Sequence, residues 1–149
     1  MSTRASIRRH VVVERSADEV WAVVGRPELL HLWFPGIETC VVDGDRRDVT
    51  LATGLSMSER ILTNDPLQRR FQYSLSGWLF QEHLATIDVI ELDPTTSMIV
   101  YSIDAAPATM ALVLGGGAGA ALDEVRRQLE SQTGPAVEAA LRSTTRGAT

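Results

Sequence analysis

Between residues 69 and 76 apolar and polar side chains alternate: Phe71, Tyr73 and Leu75 fall on one side, Arg70, Gln72 and Ser74 on the other. A period of two is that of an extended strand with one covered face and one wet face. The same pattern predicts further strands over 6–14, 37–42, 47–52, 56–63, 82–92 and 96–103. Turn chemistry separates them at Gly44-Asp45, at Asn64-Asp65-Pro66 and at Asp93-Pro94. Two short helices follow the first strand. Ser16 and Glu19 form a capping box ahead of Val20, Trp21 and Val24, which share one helical face. A second piece over 27–32 opens on Pro27, where a missing N–H costs nothing, and ends in the aromatic turn Trp33-Phe34-Pro35-Gly36.

From about 109 to 131 the period changes to that of a helix. Met110, Leu114, Ala118, Ala121, Val125 and Leu129 recur at three- and four-residue spacings and make one apolar stripe. Gly115, Gly116, Gly117 and Gly119 interrupt it, at about 1 kcal/mol of helix propensity each relative to alanine. Such a cost points to close approach or to space beside the helix. Residues 132–149 are small and polar, with Gly134-Pro135 as a breaker, and read as a frayed tail beyond a single domain over 1–131. A curved antiparallel sheet of seven strands and one amphipathic helix bury their apolar faces only when the sheet wraps the helix. The predicted class is α+β, a helix-grip.

Composition narrows the function. The chain has 149 residues, 44% hydrophobic and 22% charged, with a net charge of −5 and no basic run. That balance fits one globular domain and counts against a nucleic-acid partner. Cys40 is the only cysteine, and His10, His31 and His83 are scattered, so no disulfide framework, metal or other cofactor is expected. The uncharged stretch 105–122 contains Pro107 and four glycines and runs on into DEVRRQLE; it reads as a thin-sided helix and not as a membrane span. The run GGGAGA over 115–120 lacks the strand–turn–helix context of a dinucleotide fingerprint. The N-terminus lacks the apolar core of a signal peptide, so a cytoplasmic location is expected. The oligomeric state stays open, a dimer included.

The layout, with T-G-L-S-M-S-E-R-I-L-x-x-D-P over 53–66, resembles the START-related (SRPBCC) superfamily of polyketide cyclase/dehydrase-like and lipid-transport proteins, which includes the plant abscisic acid receptors. The resemblance covers about 6–131 and implies a large apolar cavity between sheet and long helix. Val49, Leu51, Glu59, Tyr73, His83 and Ala85 match positions that line the receptor cavity. In R-P-E-L-L-H-L-W-F-P-G-I-E-T-C, over 26–40, Glu38 stands where the receptors carry a cavity lysine that holds a carboxylate. A glutamate there implies a ligand whose buried end is neutral or cationic. Trp78, Leu79 and Phe80 stand near the place of the receptors' latch, which is absent.

Strand alternation adds Met57 and Leu75 to the covered face, the helix stripe adds Leu114, and the aromatic turn makes Trp33 a candidate roof. Alternation also places Glu59 on that face. A carboxyl in an apolar cavity has a raised pKa and suits general acid–base work; equally, it can be a polar post anchored by a neighbouring arginine. His83 shares the face with Ala85 and Ile87 and could exchange a proton with Glu59 if the two met. The expected function is therefore binding of a small hydrophobic molecule such as a lipid, polyketide or aromatic metabolite. The alternatives are a cyclase or dehydratase using Glu59 with His83 or Tyr73, and an interaction module without ligand.

Overall fold

The computed structural model describes residues 3–77 and 79–147, the side chains of 144–147 excepted, so Trp78 lies outside the described residues. Its strands are β1 (Ala5–Val13), β2 (Ile37–Asp43), β3 (Arg46–Leu51), β4 (Ser56–Asp65), β5 (Arg70–Ser76), β6 (Glu82–Asp93) and β7 (Thr96–Ala106). They pair antiparallel in one sheet of order β1-β7-β6-β5-β4-β3-β2, as hairpin connections dictate for strands that follow one another in the chain. Helix α1 (Ala17–Val24) is capped by Ser16, whose hydroxyl accepts from the Glu19 N–H at 3.2 Å and donates to the Glu19 carboxylate at 3.0 Å. A 3-10 turn (Pro27–Leu29) leads into α2 (Leu30–Trp33). The long helix α3 (Ala108–Ser131) packs chiefly on β1 and β7. This is the expected α+β helix-grip.

The buried face of α3 is made of Ala111, Gly115, Ala118, Ala121, Leu122, Val125, Gln128 and Leu129. Its N-terminal half is thus small and its C-terminal half bulky. A methyl group on Gly115 would sit 3.0 Å from the Ile7 side chain, so this glycine lets the helix approach β1 closely. One on Gly117 would meet the Phe34 ring at 3.4 Å. Gly116 faces open space, and nothing in the structure explains it.

The segment expected to fray is instead a helix, α4 (Pro135–Gly147), with Ala136, Val137 and Ala140 buried against α1, α2 and α3. Gly134-Pro135 does break the chain, but the proline takes the first helical position, where it suits a new helix. Gln128 ties α4 down. Fully buried, it donates to the Leu32 carbonyl at 2.9 Å and accepts from the Ala136 N–H at 2.9 Å.

Candidate functional site

The concave face of the sheet is not filled to its end. Between the first half of α3, strands β3 to β7 and the turn after α2 lies a cavity of about 330 Å³. Val49 and Leu51 reach it from β3, Met57 and Glu59 from β4, Tyr73 and Leu75 from β5, His83 from β6 and Leu114 from α3, as alternation and stripe predict. Phe34, Tyr101, Val113 and Gly117 also line it. Its walls are apolar and its polar groups few, the usual character of a small-molecule site.

Those polar groups begin with an ion pair. The register of β3 and β4 sets Arg47 directly opposite Glu59, and both side chains are buried. Arg47 Nε donates to Glu59 Oε1 at 2.5 Å, and Nη1 donates to the Pro27 carbonyl at 3.1 Å. The guanidinium lies 4.9 Å from the Tyr73 ring centre and 5.4 Å from that of Phe71, a cation–π placement that replaces part of its lost hydration. Nη2 is buried with no hydrogen-bond partner among the described residues. Burial pushes the Glu59 carboxyl above its ordinary pKa, and Arg47 pulls it only partly back.

A second polar element is the pair of phenols from Tyr73 and Tyr101, whose hydroxyls are hydrogen-bonded to each other. Burial holds both well above the ordinary phenol pKa, so both stay neutral. The third element is His83. Its Nδ1 accepts from the Leu75 backbone N–H at 2.9 Å, and burial lowers its pKa to about 4, against a weak opposing pull from Asp104. The Tyr73 and Phe80 rings flank it at 5.8 and 5.2 Å.

Three expected residues stand elsewhere. Glu38 is exposed, because a bulge between Ile37 and Thr39 adds a residue to β2 and turns that side chain outward. Glu38 therefore sets no charge requirement on a molecule in the cavity. Trp33 is buried core and its neighbour Phe34 lines the cavity instead, while Ala85, opposite Tyr73, is fully buried and does not reach the space. His31 is half-buried with Nδ1 3.1 Å from Cys40 Sγ, and burial raises the thiol pKa. Among the described residues no three histidine, cysteine or acidic side chains are grouped to hold a metal, and no helix is long and apolar enough to cross a membrane.

Sequence reasoning missed Arg47. The signal was present: Val49 and Leu51 occupy the covered face, and Arg47 precedes them at the same period of two.

Comparison with known proteins agrees with this architecture. The protein XoxI from Bacillus cereus superposes with a TM-score of 0.79 at 21% identity, over 84% of this chain and 95% of that one. Norcoclaurine synthase from Thalictrum flavum, in complex with dopamine and hydroxybenzaldehyde, gives a TM-score of 0.69 at 21% identity, over 87% and 88%. The di-domain ARO/CYC BexL from the BE-7585A biosynthetic pathway gives 0.71 at 17% identity, over 85% of this chain and 46% of that one. At such identities the likeness is one of fold. No functionally curated protein matches in sequence. A family model described as polyketide cyclase / dehydrase and lipid transport matches residues 4–145, nearly the whole length, and the chain belongs to that family.

Proposed function

We propose that this protein binds one small, largely apolar molecule in the cavity between the sheet and the first half of α3. The observation that carries this reading is the hollow itself: a partly open space of about 330 Å³ where larger side chains on α3 would have packed solid. That volume lies at the low end for ligand pockets, which favours a compact ring system or a single short chain over a two-tailed lipid. Family membership supports the same reading, and the hollow counts against an interaction module with no ligand.

Native mass spectrometry of the protein purified from its own host tests it. The expected spectrum shows one added organic molecule, displaced by the uncharged probe N-phenyl-1-naphthylamine. A bare protein that also fails to bind this probe would overturn the proposal.

A cyclase or dehydratase activity is the second reading, supported by the Glu59 carboxyl on the cavity wall with its raised pKa. One of its oxygens is engaged by Arg47, so the other would have to meet the substrate. Glu59→Gln keeps the shape and removes the titrating proton. Turnover of a polyketide substrate should then fall at least about a hundredfold. Undiminished turnover would remove Glu59 from the chemistry.

A further inference from the structure

Glu59 is held by Arg47, and one phenol donates to the other, whose own proton stays on a freely rotating hydroxyl. His83 is different. Its hydrogen bonding is settled on one side and open on the other.

The settled side is Nδ1. A backbone N–H has a proton only to give, so the nitrogen that receives the Leu75 N–H carries none. A neutral imidazole keeps one proton, which must then sit on Nε2. The ring is neutral at physiological pH, since its pKa is about 4. Flanking aromatic rings and the Leu75 contact fix the ring plane. Nε2 has no hydrogen-bond partner among the described residues and keeps accessible surface, on a residue that is 8% exposed and borders the cavity.

We infer that His83 serves the cavity as a fixed neutral donor through Nε2–H, so that the bound molecule carries a ketone, aldehyde or ester carbonyl. This rests on the reading of the cavity as a ligand site. A ligand that fills the cavity strips water from this donor, and a carbonyl oxygen replaces the lost hydrogen bond without bringing a proton that needs its own acceptor. An ammonium group finds nothing to donate to at His83, because Nδ1 is already engaged and Nε2 is itself a donor. A carboxylate would share a small apolar space with Glu59. The same geometry denies His83 the role of general base, since neither nitrogen offers a free lone pair.

The test is a matched pair of probes of nearly equal shape, 2-acetylnaphthalene and 2-isopropenylnaphthalene, which differ by a carbonyl oxygen in place of a methylene. Both are titrated into the wild-type protein, His83→Gln and His83→Phe. The expected result is about a tenfold preference for the ketone in the wild type, in line with one neutral hydrogen bond. The preference persists in His83→Gln, which keeps an N–H donor, and vanishes in His83→Phe. Nitrogen-15 spectra of the wild-type imidazole give an independent readout should His83→Phe fail to fold. They should show the proton on Nε2, with that resonance shifting on addition of the ketone and not of the hydrocarbon. A proton on Nδ1, equal affinity for the two probes, or a preference that survives in His83→Phe overturns the inference alone. Binding of neither probe overturns the ligand-site reading and this one with it.

Discussion

Between the same sheet and the same helix the grip is packed at one end and hollow at the other. A second, more open cleft of about 560 Å³ lies not between sheet and helix but among α1, the end of α3 and α4. Around the second half of α3, Leu122, Val125 and Leu129 pack with Val13, Val20, Val89 and Ile99 into a core of buried aliphatic side chains. Around the first half, Ala111, Gly115 and Ala118 leave room, and the sheet opposite carries Arg47, Glu59, Tyr73, Tyr101 and His83. The difference lies in side-chain volume along a single helix, with no change of fold. Stability is concentrated at one end so that the other can keep an expensive polar floor.

The sharpest way to break that comparison is to unpair the floor. Arg47→Met leaves Glu59 buried without its partner and should cost about 3–5 kcal/mol in chemical denaturation. The double change Arg47→Met with Glu59→Leu should recover most of this, since an apolar pair of similar volume needs no hydration. Failure of the double variant to recover would mean that the ion pair supports the sheet in a way that hydrophobic packing cannot replace.

Next come matched truncations on α3. Leu122→Ala, in the solid half, should cost about 2–5 kcal/mol, whereas Leu114→Ala, which already borders empty space, should cost about 1 kcal/mol or less. Equal losses would show that the hollow half is as well packed as the other.

Acid should act on the hollow half through His83. Its folded pKa of about 4 lies below the ordinary 6.5, so the unfolded chain takes up the proton first. The stability it contributes is therefore present above pH 6.5 and lost as pH falls from 6.5 to 4, by up to about 3 kcal/mol. His83→Gln should flatten that part of the profile in urea titrations at stepped pH. An unchanged profile would place the acid response elsewhere.

The smallest change in stability carries the largest change in function. Gly117→Leu gains helix propensity, about 1 kcal/mol or less, and fills the cavity beside Phe34. Thermal unfolding should shift little while binding of N-phenyl-1-naphthylamine is lost. Retained probe binding would put the probe outside the cavity.

Much of this was legible in the residue order because most strands alternate without interruption. Val49, Leu51, Met57, Glu59, Tyr73, Leu75 and His83 all point where a period of two sends them. Glu38 failed because a bulge inserts one residue and inverts the side chain, which no alternation rule detects from a single strand. Helix α4 was hidden behind its own start signal: a glycine–proline pair ends one helix and opens another, and only the apolar set Ala136, Val137 and Ala140 separates the two readings. The His83 tautomer depends on a backbone N–H from the neighbouring strand, and so on a register that the sequence does not display.

Gln128 gives the molecule a built-in reporter. The Ala136 amide proton is donated into a buried side-chain oxygen held between α2, α3 and α4, so solvent deuterium reaches it only when α4 lifts away. Its exchange rate is thus a clock for the detachment of the last helix, readable at one residue without any label or substitution.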